Sequence, residues 1–568
     1  MRAQRALSLL KKTISVKKRD ISKRTAFAIL AVLIAFRLFL SANQLIFSIP
    51  GSAPIDDDLY FTLARNIAEG NWLGEYNYLT LSKYPFFAVY LAFIHFVKIP
   101  YLIANCILWI LVAALASRRV EPIVKTRRAR LFVFVALMYN PSTWAQYTLR
   151  VYRDTFFPII CALFFFATMG WALRIKEKAS KWLPYITLSG IGLALAYVSR
   201  EDGYWIWPFA VTGFVIVRIY VAVDRQVEKK AAKLLVSLAI PVICTFAAVS
   251  TICSLNQKYY GQYILTDFAK GPFAECYANM TRLSHEDWNP LVAVPRDVRE
   301  RLYEQCPSFA EFEEILEEGV ARKAYYNSEL DDYQSGAFYW ALRLSAQLLG
   351  HSSSCTEAME FWSRLSDEVE KVIEKDPGRL GPRSSITPPI RSEYVAPVLN
   401  TAKDSVFYIL SFKGMERWEP TLSDVTTGRL PQVEAFVHNR SNYSAVEYTA
   451  DPYYTPFQKF TNKACEYMTG FYRIAITPLL IISLAEIAVS FVLFKRLDWK
   501  KQLLQFVLLG FILMGLFRIF IISYMEVAAF NIGIYSMYLG CVYPLLVFIC
   551  AMAPFNIPPV RKKTEDGQ

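Results

Sequence analysis

Asp56, Asp57 and Asp58 stand side by side just after the first apolar run, and Lys83 precedes the next one. Arg150 and the pair Arg153-Asp154 close a later run, and the trio Arg200-Glu201-Asp202 closes another. Charges at such boundaries are costly unless paired or hydrated, so carboxylates and cations recurring there point to one polar cleft. Their chemistry suits activation of a hydroxyl beside a phosphate. A carboxylate takes the hydroxyl proton, and cations stabilise charge on the phosphate. Singly, each group has a plainer reading. Three aspartates in a loop are usually solvated, and arginines at helix ends anchor to lipid head groups. Arg153-Asp154 reads as a local salt bridge, and Lys83 as a lysine reaching for the interface. What favours the cleft is that all four groups fall on one face.

The elements that must position these residues are membrane helices. The chain has 568 residues, of which 54% are apolar. Its apolar runs approach twenty residues, the length that crosses a bilayer core, and backbone in lipid must be helical. The class is an all-α polytopic membrane protein. The net charge of +13 lies in short stretches between runs, at 2–24, 118–130, 174–181, 225–233, 495–501 and 561–563. Basic clusters so placed mark cytoplasmic loops and exclude a nucleic-acid partner.

With those loops inside, spans are expected at 25–49, 101–116, 131–149, 155–173, 183–198, 204–223 and 234–255, and again at 472–494, 503–524 and 532–553. Residues 85–97 form a short interfacial or re-entrant helix. The organisation expected is a cytoplasmic basic tail (1–24), a seven-span module (25–255) with an external loop at 51–84, an external soluble domain (256–469), three C-terminal spans (470–553) and a cytoplasmic tail (554–568). The external domain reads as mainly helical, at 296–306, 309–319, 336–349 and 356–375, with a Pro/Gly-rich loop at 376–389. Glu313, Glu314, Glu317 and Glu318 form a charge run that reads as a solvated face. Four of the ten cysteines (Cys276, Cys306, Cys355 and Cys465) lie in this segment, which leaves room for one or two disulfides if it is external. The four histidines are scattered, which argues against a histidine-rich metal site.

The first loop resembles that of GT-C glycosyltransferases, especially protein O-mannosyltransferases and lipid A aminoarabinose transferases. The likeness rests on Asp56-Asp57-Asp58-Leu59-Tyr60, then Gly70-Asn71-Trp72, then Lys83-Tyr84-Pro85. That family shows an acidic pair, a nearby aromatic, a Gly-x-Trp, and a Lys-Pro or His-Pro before a short apolar helix. Here Tyr84 separates Lys83 from Pro85. Members also carry an Arg-Tyr pair in the last span where this chain has Met537-Tyr538, so one donor-binding cation is missing or supplied from elsewhere. The likeness covers roughly the first 255 residues well and the final spans loosely.

The resemblance implies a GT-C-like module and inverting transfer of a sugar from a polyprenyl-phosphate donor to a hydroxyl of a glycan, lipid or protein acceptor. It implies a bacterial inner membrane, with the active site on the periplasmic or extracellular side. Asp56 or Asp57 would be the base, Asp56 slightly ahead, and Asp154 a second acid. Lys83, Arg150, Arg153 and Arg200 would hold the donor phosphate. Asp58, Tyr60, Glu201, Asp202 and Tyr538 would contact substrate, and membrane lipid surrounds the whole. Three adjacent aspartates also carry the oxygen ligands that magnesium or manganese takes. The resembling families need no catalytic metal, so none is assigned and a divalent cation is left open. The alternatives are a transporter or flippase of a lipid-linked or anionic solute, and a receptor or assembly protein. The transporter reading lacks paired half-repeats in the sequence.

Overall fold

The computed structural model describes residues 20–556, apart from 225–226, 269, 284–288, 290, 376–379, 382–389, 416–426, 442–454 and 534–535. Residues 1–19 and 557–568, and nearly all of the Pro/Gly-rich loop, lie outside the described residues. Among those described, eight helices are long and apolar enough to cross a membrane. The protein is an α-helical, multi-pass membrane protein. Its N-terminal half contains α1 (Lys23–Ala42), α2 (Leu59–Ala68), α3 (Phe86–Val97), α4 (Tyr101–Arg119), α5 (Arg127–Met138), α6 (Arg153–Ala172), α7 (Ala179–Ser199), α8 (Trp207–Val223) and α9 (Lys230–Tyr260).

Helix α6 is the axis of the bundle. Its most apolar window is 94% buried, against 11% for α9, which faces outward. Helix α7 runs back along α6, and the two approach closely at Gly192. A Cβ there would sit 2.9 Å from the backbone nitrogen of Phe164. Small residues at such crossings let membrane helices close on one another. This antiparallel pair brings the start of α6, Arg153-Asp154, beside the end of α7 at Arg200.

Two expected spans are shorter than foreseen. The run 131–149 yields only the 12-residue α5, because Pro141 cannot continue a helix and disfavours helical backbone at the residue before it. Asn140 turns the chain by accepting from Ser142 N. The open carbonyl end of α5 is satisfied from within α1: the buried guanidinium of Arg37 donates to Met138 O at 3.3 Å and to Thr143 O at 3.1 Å. The run 532–553 yields an 11-residue helix, Val542–Met552, buried along its whole length. The chain before it turns through Asn531 and Gly533, both at positive φ.

The first run also stops early, at Ala42. Residues after it extend, and Phe47 pairs with Arg150 in an isolated parallel bridge. Two helices overrun their expected bounds most. Helix α9 has 31 residues and Pro456–Val492 has 37, or roughly 45 and 55 Å at about 1.5 Å per residue, well beyond a hydrocarbon core of about 30 Å.

Residues between Phe268 and Ile373 build a second hydrophobic core of their own. Helices Arg296–Gln305, Ser335–Leu348 and Cys355–Lys375 lie within it. The expected helix at 309–319 is broken into Pro307–Ala310 and Glu313–Glu317. Glu317 is not merely solvated. It receives Arg299 Nε at 2.8 Å, and Arg299 also pairs with Asp332 at 2.6 Å. All ten cysteines are free. Cys276, Cys306, Cys355 and Cys465 are each buried as small apolar groups.

This second core is fastened to the first loop. Arg343 donates to Tyr78 O at 2.8 Å and pairs with Asp267 at 2.9 Å. The end of α9 is fastened to the same loop: Trp72 Nε1 donates to Asn256 Oδ1 at 2.8 Å. Tyr260 OH donates to the carbonyl of Gly74 at 2.9 Å. Gly74 has φ +92°, and a Cβ there would meet the side chain of Asn66, so only glycine fits.

Candidate active site

The three aspartates occupy a single π-helical turn, Pro54–Asp58, that leads into α2. Consecutive side chains on a helical turn do not share a face. Each carboxylate leaves in its own direction and meets its own cation. Asp56 contacts the Lys83 ammonium and accepts from Tyr152 OH at 2.9 Å. Asp57 takes Arg150 through Nη2 at 2.6 Å and Nε at 2.8 Å. Asp58 turns away to Arg429 at 2.8 Å. The three therefore do not form one oxygen donor set. No group of three His, Cys, Asp or Glu side chains placed to hold a metal occurs among the described residues.

Asp57 is closed. Besides Arg150, Ile49 N donates to it at 2.9 Å and Ser48 Oγ at 3.3 Å, and its side chain has no exposed surface. The extended stretch after α1 fixes this pairing. Phe47 N donates to Leu149 O, and Val151 N donates back to Phe47 O, both at 3.1 Å, which sets Arg150 against the loop bearing Asp57. Asp56 by contrast keeps 30% of its side chain open, with Lys83 beneath it at 8%.

The remaining expected residues join the same network. Arg153 Nη1 grips Glu201 at 2.7 and 2.9 Å and donates to Tyr60 OH at 3.2 Å. Tyr60 is fully buried, so it orients Arg153 and does not face the cleft. Arg200 contacts Asp154 and binds Asp202 at 2.8 Å, with its guanidinium 5.2 Å from the centre of the Tyr538 ring. Asp154 is buried, with Oδ2 unpartnered.

Three participants escaped the sequence reading. Tyr152 lies between the two arginines and links Asp56 to Lys83, whose Nζ is 3.5 Å from its hydroxyl. Nothing in the sequence marks it. Arg429, the partner of Asp58, comes from a segment whose aromatics fit several readings. Arg518 had a signal, being a lone arginine in an apolar run. Fully buried, it donates to Asp202 at 2.5 Å and to Tyr538 O at 3.1 Å. A cation therefore does stand beside Tyr538, supplied by the preceding helix, Trp499–Met525.

Among the described residues, five carboxylates around this centre (Asp56, Asp57, Asp154, Glu201, Asp202) balance five cations (Lys83, Arg150, Arg153, Arg200, Arg518). Burial pushes the pKa of Asp56 up, but Lys83, Arg150 and Arg153 outweigh it and bring it down to about 2. Burial acts likewise on Asp202, and Arg200 and Arg518 reverse it, so its pKa is lowered too.

An unfolded aspartate protonates near about 3.9, so the contribution of Asp56 is complete above that pH and is lost as pH falls toward 2. Thermal melts of the wild type should drop over this interval, and Asp56→Asn should flatten that part of the profile. A variant profile as steep as that of the wild type would contradict the pairing with Lys83.

No family model matches the chain, and no curated protein matches it. Among solved structures it is similar to ArnT from Cupriavidus metallidurans. The apo crystal structure shows 13% identity over 94% of this chain and 78% of that one, with a TM-score of 0.31. ArnT bound to undecaprenyl phosphate shows 12% identity over 93% and 78%, with a TM-score of 0.32. Similarity at that level leaves this chain's own geometry as the ground for any functional assignment.

Proposed function

We propose that the protein is a GT-C-type glycosyltransferase that moves a sugar from a polyprenyl-phosphate donor to an acceptor hydroxyl on the non-cytoplasmic face. The observation that carries this reading is the contact of Lys83 with Asp56 at the partly open edge of an otherwise buried, charge-balanced network. It places a candidate base and a candidate phosphate-binding cation in contact.

A donor phosphate that draws Lys83 to itself releases Asp56 from the charge that most depresses its pKa, and so raises its basicity as the donor arrives. Asp56 then takes the proton of the acceptor hydroxyl while the oxygen attacks the sugar carbon and the sugar–phosphate bond breaks. The polyprenyl phosphate departs with the bonding electron pair. Lys83 and Arg153 stabilise its growing charge. Asp57 and Asp154 hold Arg150 and Arg200 in place. Tyr538, with Arg200 and Arg518 about it, forms the far wall.

Lys83→Ala and Arg153→Ala should each weaken binding of a fluorescent polyprenyl phosphate to the purified protein in detergent. Loss of a hydrogen bond to a charged group costs on the order of 1.5–3 kcal/mol, or roughly ten- to hundredfold in affinity. Unchanged affinity in both variants would remove the phosphate from this site. The transporter reading predicts no turnover of a sugar-bearing donor, so release of free polyprenyl phosphate on adding acceptor separates the two.

A further inference from the structure

The active-site cluster gathers where α1, α4 and α6–α9 have the ends that meet the first loop and the second core. The opposite ends of these helices build a second charged feature that the transfer reaction does not use. A cavity of about 500 Å³ opens there, with Lys125, Arg127, Arg130, Arg174, Lys181 and Lys500 around it. Its carboxylates among the described residues are Asp20, Glu121 and Glu177, so there six cations against three acids leave a surplus of three positive charges.

The acids are already engaged. Asp20 receives the backbone N–H groups of Arg127 at 3.0 Å and Arg128 at 3.2 Å, closing the start of α5. Glu121 lies 3.6 Å from Arg130, and Glu177 is 2.7 Å from Lys500. Arg174 is held over the end of α4, donating to Arg119 O at 3.2 Å and Arg118 O at 3.3 Å. Lys125 and Lys181 are exposed at the rim.

A crevice of about 560 Å³ lies next to the basin, between α8 and the start of Trp499–Met525. Its walls are mainly apolar: Ile216, Ile219, Tyr220, Val223, Phe494 and Phe506. The boundary between the two is the Glu177–Lys500 pair together with Trp499. Lys176 Nζ lies 4.9 Å and Lys500 Nζ 5.3 Å from the centre of the Trp499 ring. A tryptophan flanked by lysines at a helix end is the usual marker of the membrane interface.

A basin with surplus positive charge beside an apolar crevice at the interface matches the two halves of one amphiphile. The geometry points to a binding site for an anionic phospholipid, its phosphate headgroup in the basin and an acyl chain in the crevice. Basic pockets between membrane helices recognise lipid headgroups in this way. The site is independent of the proposed transfer reaction and on the other membrane face from it.

The test uses full-length protein in phosphatidylcholine nanodiscs and a fluorescent phosphatidylglycerol as probe. Wild type should bind it in preference to fluorescent phosphatidylcholine. Exposed lysines near a membrane surface contribute about fivefold each, so the double variant Lys125→Gln/Lys181→Gln should bind phosphatidylglycerol about 25-fold more weakly. Its phosphatidylcholine binding should not change. Lys83→Ala should leave phosphatidylglycerol binding intact, which separates this site from the donor site. Equal affinity in the double variant would overturn the proposal. Full displacement of the probe by glycerol phosphate at matched concentration would also overturn it, assigning the basin to a soluble phosphate. If the double variant fails to fold, salt dependence of wild-type binding decides: salt-insensitive binding contradicts a charged basin.

Discussion

Asp56→Asn should reduce sugar transfer by about a hundred- to ten-thousandfold, the range over which a positioned base contributes. The fall should appear in kcat, while affinity for polyprenyl phosphate should be kept or raised, because the base acts on the acceptor and its loss frees Lys83 from the carboxylate that competes with the phosphate. The amide keeps the shape of the side chain and can still accept from Tyr152, so the fold should persist, at a lower melting temperature because Lys83 loses its carboxylate. Release of polyprenyl phosphate from a sugar-bearing donor, followed beside a thermal melt, reads both at once. A variant that turns over normally would take the base role from Asp56.

The neighbouring carboxylate should behave in the opposite manner. Asp57 has no exposed surface and depends on Arg150 for two of its hydrogen bonds. Arg150→Ala leaves that carboxylate buried with only Ser48 and Ile49 to support it. Stranding one member of a buried pair costs about 3–5 kcal/mol. The protein should therefore unfold at distinctly lower temperature in detergent. Replacing both partners, as in Asp57→Leu/Arg150→Leu, should recover much of the loss, because no charge remains buried. A melting curve for Arg150→Ala that superimposes on the wild type would show that Asp57 is not sealed in. On the proposed mechanism one aspartate governs turnover and its neighbour the fold, a division the sequence shows only as a slight preference for Asp56.

That slight preference marks how far the sequence could be read. Hydropathy was enough for the polytopic helical class, and boundary charges drew attention to Lys83, Arg150, Arg153 and Arg200, which the structure brings into one network. Their pairings were not legible. Which aspartate meets which cation depends on the π-helical turn and on the extended pairing of Phe47 with Arg150, and neither leaves a trace in composition. The short helix before Pro141 was masked by an apolar run that continues past it. Arg37 and Arg518 were visible as lone arginines in apolar runs, but their partners, a helix end and Asp202, lie about a hundred and three hundred residues away.

The most direct measurement is a structure of the protein with polyprenyl phosphate bound. The phosphate is expected within hydrogen-bond distance, about 2.7–2.9 Å, of Lys83 Nζ and the Arg153 guanidinium, with Lys83 drawn away from Asp56. A phosphate lodged elsewhere, with the Lys83–Asp56 contact unchanged, would contradict the assignment of this cluster as the donor site.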